Sequence, residues 1–166
     1  MKTLEQQMAF YQRYHRHPKN KLTHFFGVPA IAFALLVPLS LIGIDLGGWW
    51  LSGAQVFALV VLAYYFALDV ALALAMTAFI AMLLWLAAWV AAQGAAVAWT
   101  VFAVAFVGGW VLQLIGHYFE GRRPALVDNF FQVFIAPVFL MAELFFALGF
   151  KRDVRQRVER LAGESI

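Results

Sequence analysis

VALALAMTAFIAMLLWLAAWVAAQGAAVAWTVFAVAFVGGWVLQLIGHYF, residues 70–119, contains no aspartate, glutamate, lysine or arginine. About 20 apolar residues in a helix cross a hydrocarbon core about 30 Å thick, so this run is too long for one crossing and long enough for two. It divides at Gln93 and Gly94, which predicts spans over residues 70–92 and 96–118. Upstream, residues 25–44 form a charge-free run closed by Asp45, Gly47 and Gly48, and residues 46–68 form another that ends at Asp69. Four crossings result. The whole of residues 22–121 lacks lysine and arginine. A basic side chain at a bilayer centre costs about 2.5 to 3.5 kcal/mol, so immersion in lipid imposes that exclusion.

Composition agrees. The 166 residues are 64% hydrophobic, 17% aromatic and 13% charged, whereas a soluble domain carries about 25% charged residues. The expectation is an all-α integral membrane helical bundle, one domain over residues 1–166, with a cytoplasmic N-terminal segment (1–23) and a basic C-terminal tail (151–166). The formal charge of +3 comes from the two ends and fits anionic lipid headgroups rather than nucleic acid. The absence of cysteine excludes disulfides, zinc-thiolate sites and thiol nucleophiles. The opening residues, MKTLEQQMAFYQRYHRH, lack the pattern of a cleavable signal peptide.

Basic residues near span ends mark the cytoplasmic side. All twelve lie in three clusters: Lys2, Arg13, Arg16, Lys19 and Lys21; Arg122 and Arg123; and Lys151, Arg152, Arg155, Arg157 and Arg160. An even number of crossings places the first two clusters together. The last hydrophobic segment, residues 129–150, would send the basic tail across if it spanned. Pro137 in its middle predicts a bent, re-entrant segment instead, so four spans plus that segment are preferred to five spans. The expected setting is the inner membrane of a bacterium or the endoplasmic reticulum of a eukaryote, with any site at the basic ends facing the cytoplasm. Val154, Val158 and Leu161 alternate with basic residues, which predicts a tail helix lying on headgroups. Asp45 and Asp69 read as turn or cap residues, and Glu143 as a partner for the basic tail.

A polar constellation sits at the ends of the first and fourth spans. Gln113, His117 and Glu120 fall at i, i+4 and i+7, one helical stripe. His117 and Glu120 have a spacing that lets both side chains reach one cation. At the other end lie Tyr11, His15, His17, Asn20 and His24. Tyr11 and His15 share a face if helical, as do Asn20 and His24, while Pro18 breaks a single helix through both pairs. A bend there would bring His15 back toward His24. Three or four imidazoles with one carboxylate and no thiolate suit iron, zinc, manganese or copper, and two histidines with a carboxylate suit non-haem Fe(II) oxygen chemistry. The alternative readings are hydrogen-bonded interfacial histidines, with His17 the weakest ligand candidate, and an ordinary His117–Glu120 pair. Arg122 and Arg123 read as topology determinants that would also serve a substrate carboxylate.

The pattern Tyr11-x3-His15-x4-Asn20-x3-His24-x2-Gly27-Val28-Pro29, with Gln113-x2-Gly116-His117-x2-Glu120-x3-Pro124-Ala125, resembles the family of small membrane dioxygenases that act on 2-hydroxy fatty acids. The resemblance extends over most of the chain, including residues 64–69 and the Asp128-Asn129 start of the last hydrophobic segment. It implies Fe(II)-dependent α-oxidation, in which molecular oxygen attacks a 2-hydroxy acyl chain and a fatty acid one carbon shorter remains. It further implies His15, His24 and His117 as iron ligands and Glu120 as ligand or proton acceptor. Asn20 and Gln113 would orient the site, with Tyr11, Arg122 and Arg123 at the substrate. Two rivals stand beside it: a zinc-dependent membrane hydrolase of lipid amides, and a non-enzymatic membrane protein whose polar residues pair among themselves. A histidine-box di-iron hydroxylase would need about eight histidines by family resemblance, and the chain has four.

Overall fold

The computed structural model describes residues 3–124 and 131–163, and apart from one small hairpin these are helices joined by short turns. Lys2, Ala125, Asp128 and Asn129, placed above in a basic cluster, a motif and the start of the last hydrophobic segment, lie outside the described residues. A reciprocal cap between Thr3 and Gln6 opens α1 (Leu4–Gln12). The chain then turns through residues 13–17, because Pro18 can only begin a helix there. His17 caps α2 (Pro18–Ser40), its Nδ1 accepting from the Lys19 amide at 3.1 Å. The helix therefore starts seven residues before the charge-free run does, carrying Lys19 and Lys21 in its first turns. It also ends before Ile44, where β1 (Gly43–Asp45) pairs antiparallel with β2 (Trp50–Ser52). Asp45 closes that turn by accepting from the Gly48 amide at 2.7 Å.

Ser52 and Gln55 cap each other to start α3 (Gly53–Leu68), so this helix is 16 residues long, shorter than the run that announced it. Asp69 caps α4 (Val70–Ala92), accepting from the Leu72 amide at 2.9 Å. Gln93 and Gly94 end it; Gly94 has φ +103°, a conformation open to glycine and costly for other residues. Helix α5 (Ala95–Glu120) follows. Among the described residues α2, α4 and α5 are long and apolar enough to cross a membrane, and α3 is a shorter apolar helix.

The segment expected to double back at Pro137 does not do so over its described part. It is one helix, α6 (Gln132–Ala147), running through Pro137. Proline in a helix interior costs one amide bond and introduces a kink without requiring reversal. Both ends of α6 touch neighbouring parts of the chain's basic end. Gln132 donates to Gln7 of α1 at 3.3 Å, and Glu143 meets Lys21 of α2 at 2.8 Å. Glu143 thus pairs with the first basic cluster and also attracts Arg155 of the tail. Lys151 then meets Asp69 at 2.6 Å. The tail helix α7 (Arg152–Gly163) turns Val154, Val158 and Ala162 into the same apolar core as Leu4 and Met8 of α1. Its apolar stripe is covered by protein, where headgroups were expected, and Arg157 pairs with Glu5 at 3.1 Å.

Candidate metal centre

Helices α2 and α5 run antiparallel in close contact because glycines line their crossing. A Cβ on Gly27 would sit 2.9 Å from the Gly109 carbonyl, and one on Gly109 would sit 2.7 Å from Ile31. A Cβ on Gly116 would meet Thr23, Asn20 and His24. Small residues that let backbones approach are the usual device for joining helices in lipid. Here the approach brings His24, near the start of α2, beside His117, near the end of α5. The bend before Pro18 folds His15 over both.

The three imidazoles are buried, and one ring nitrogen from each lies within 4.8 Å of the others. His15 Nδ1 is 2.8 Å from the Tyr11 carbonyl and His24 Nδ1 is 2.9 Å from the Asn20 carbonyl. A carbonyl only accepts, so each Nδ1 carries the proton and donates. Both Nε2 atoms then present lone pairs, and they face each other at 3.0 Å. Two lone pairs at that distance repel unless a cation lies against both. Burial pushes the His15 imidazole down to about 3, aided by the nearby His117, so at neutral pH it is the uncharged form that binds metals. Nitrogens at right angles, each about 2.1 Å from one ion, lie about 3.0 Å apart. An Nδ1–H fixed to a carbonyl is also how metal-bound histidines are commonly oriented. The His15–His24 pair fits a metal ion, and His117, whose Nδ1 has no hydrogen-bond partner among the described residues, stands near enough to join it after a small movement.

Glu120 does different work. Its carboxylate accepts from the Arg16 amide on both oxygens at 3.0 Å, from the His17 amide at 2.9 Å and from the Asn20 side-chain amide at 2.9 Å. Asn20 also donates to the Tyr14 carbonyl at 3.1 Å. Glu120 and Asn20 thereby fasten the turn that carries His15 to the end of α5. His17 stands apart from the triad as a helix cap, its ring stacked on Phe119 at 5.9 Å. Tyr11 stacks on His15 with ring centres 3.9 Å apart. Arg122 is exposed and donates to the Arg13 carbonyl at 3.4 Å, and Arg123 is exposed as well.

A cavity of about 410 Å³ opens from the triad into the bundle. Tyr11, His15, His24, His117 and Gln113 form its polar end, and Val28, Ile31, Met76, Phe79, Leu83 and Trp110 are among its apolar walls. Arg122 and Arg123 are not in its lining. Gln132 is, although no motif in the sequence singles it out. It is fully buried with an unpartnered side-chain oxygen among the described residues. The signal available was a lone amide at the start of an otherwise apolar helix. Gln113 likewise has an unpartnered side-chain nitrogen.

Fold and site together define an all-helical protein with membrane-length apolar helices, in which three buried imidazoles head an apolar cavity. Residues 1–148 match the family described as 2-hydroxy-palmitic acid dioxygenase Mpo1-like. The chain is also 33% identical over 164 residues to the 2-hydroxy-palmitic acid dioxygenase MPO1 of Saccharomyces cerevisiae, covering 94% of this chain and 87% of the yeast protein. It belongs to the Mpo1-like family. No solved structure matches it.

Proposed function

We propose that the protein is an Fe(II)-dependent dioxygenase that shortens 2-hydroxy fatty acids by one carbon, within the membrane and with its metal centre at the cytoplasmic face. The observation that carries this reading is the pair of Nε2 atoms opposed at 3.0 Å with both Nδ1 atoms committed to carbonyls. It is supported by membership of the family and by the apolar cavity leading from the triad. His15, His24 and His117 would hold the iron. When bound, Fe(II) supplies the redox coupling between molecular oxygen and the C1–C2 bond of the substrate.

The reaction balances without an external reductant. R–CH(OH)–COOH and O2 give R–COOH, CO2 and H2O; the C1–C2 bond breaks, C2 rises from alcohol to carboxylic acid, and the four electrons released reduce the oxygen. The chain's own residues bind and orient. The apolar cavity takes the alkyl tail and excludes water from the reacting end. The Gln113 amide offers a donor to the carboxylate, a role that passes from Arg122 and Arg123 because neither reaches the cavity. Glu120 and Asn20 act as positioning residues, holding the turn that bears His15 against the end of α5.

In this reading α2, α3, α4 and α5 cross the bilayer, and α6 runs without reversal along the cytoplasmic face. Both of its ends are tied to α1 and the start of α2, and the Tyr65 hydroxyl, near the end of α3, donates to the Phe134 carbonyl at 2.7 Å. The decisive experiment is anaerobic purification, metal analysis, reconstitution with Fe(II) and assay with a 2-hydroxy fatty acid for oxygen uptake and shortened product. His117→Ala should lose metal and product together. Bound zinc with lipid-amide hydrolysis and no oxygen uptake would overturn the reading, as would retention of metal and activity in that variant.

A further inference from the structure

Two of the cavity-lining residues, Leu36 of α2 and Leu83 of α4, also belong to a second apolar core. In that core Val37, Ala54 and Ala87 have no exposed surface. Among the other buried apolar residues that line the cavity, Val28, Met76 and Ile80 belong to the first core. The cavity therefore stops where the second core begins. We propose that Leu36 and Leu83 form the floor of a single-chain alkyl channel and set the longest acyl tail the enzyme accepts. This rests on the reading of the site as a fatty acid centre, and it adds a length limit and its determinants.

Helix geometry gives the limit. His24 and Leu36 are twelve residues apart on one helix, about 18 Å at 1.5 Å per residue. An extended chain advances about 1.2 Å per bond, so about 15 bonds separate the triad from the floor. With the first bond spent between the metal-held end and the tail, about 14 carbons beyond C2 reach the floor. A longer tail has to displace Leu36 or Leu83 against atoms that are already close-packed, and such interiors do not yield without cost.

The test uses the full chain in detergent, iron-loaded, with two series of straight-chain acids: 2-hydroxy acids for turnover, and unsubstituted fatty acids for binding by calorimetry. Binding should tighten about fourfold per added carbon, the effect of burying one methylene, and then stop improving at a tail of about 14 carbons. Leu83→Ala removes three carbons from the floor and should move that break outward by about three. Leu83→Trp should draw it inward by a similar number or more, and the turnover profile should shift in step. Two substitutions in opposite senses separate a moved floor from general loosening. A break that stays in place in both variants, or tightening without a break, would overturn the proposal and indicate that the tail leaves sideways between helices. Turnover with an unmoved break would sink the floor alone. A break that moves in the binding series, with no 2-hydroxy acid turned over at any length, would sink the catalytic reading and leave the floor standing.

Discussion

Gly116 carries a sharp test of how the metal centre is built. A Cβ there would land on the Thr23 hydroxyl, 2.5 Å from Asn20 Oδ1 and 3.0 Å from His24 Nδ1, where about 3.5 Å or more is a comfortable contact. None of these atoms belongs to a free side-chain end. The Thr23 hydroxyl donates to the Asn20 carbonyl at 2.9 Å, the Asn20 amide is held by Tyr14 and Glu120, and His24 Nδ1 donates to the Asn20 carbonyl. Relief therefore requires α2 and α5 to separate by about 1 Å at the level of the triad. Overpacking of this kind costs about 1–3 kcal/mol, and a misplacement of about 1 Å at a reacting centre lowers rate about a hundredfold. Gly116→Ala should thus lower the melting temperature by several degrees and reduce both iron content and turnover. Gly108→Ala is the control, because nothing lies within 4 Å of its would-be Cβ; it should be neutral or stabilising by up to about 1 kcal/mol through helix propensity. Full iron loading with an unchanged melting temperature in Gly116→Ala would refute the account of the close crossing.

Three further outcomes follow from named contacts. Glu120→Gln keeps an oxygen for the Arg16 and His17 amides but loses charge, so it should still bind iron, about 10- to 100-fold more weakly, as supporting residues around metal ligands do; complete loss at saturating iron would make Glu120 a direct ligand. His17→Ala removes a helix cap worth about 1 kcal/mol and should leave iron stoichiometry intact, which metal analysis of the purified variant decides. The metal-free protein should lose stability as pH falls. His15 titrates near 3 when folded and near 6.5 when unfolded, so the unfolded chain binds more protons between those values. Stability should be full above about pH 6.5 and decline below it, and a flat thermal profile over that interval would contradict a buried neutral His15.

What could be read from the chain, and what could not, divides along physical lines. Helix α4 begins and ends where the charge-free run predicted, because Asp69 and Gly94 are local signals that act within one turn. Helix α2 was misjudged at both ends, since a cap at His17 and a proline at the first position start a helix whether or not the next residues are apolar. The hairpin at residues 43–52 was hidden because its strands are three residues each and largely exposed. The gathering of His15, His24 and His117 was legible from spacing and the side-of-membrane argument. The task of Glu120 was not, because its principal partners are backbone amides, which every residue but proline has. The tail helix shows the same limit: an apolar stripe does not reveal whether lipid or protein will cover it.

The triad and the helix crossing are one structure. The glycines that let α2 approach α5 also fix how far His24 stands from His117, and the Asn20 carbonyl that orients His24 belongs to the residue whose amide is clamped by Glu120. Apposed Nε2 lone pairs are unfavourable in the metal-free protein, so the packing of apolar walls and the charge-assisted bonds of Glu120 must hold them together against that repulsion. A metal ion converts the repulsion into attraction. Because an ion would bind the folded arrangement and find no such set of ligands in the unfolded chain, its affinity would add to stability as RT ln(1 + [L]/Kd), about 2.7 kcal/mol at a hundredfold excess over Kd. Chelation of the purified protein should therefore lower its melting temperature, and Fe(II) added back should restore it. A melting temperature indifferent to iron at concentrations that fill the site would mean that the opposed nitrogens are held for some other purpose.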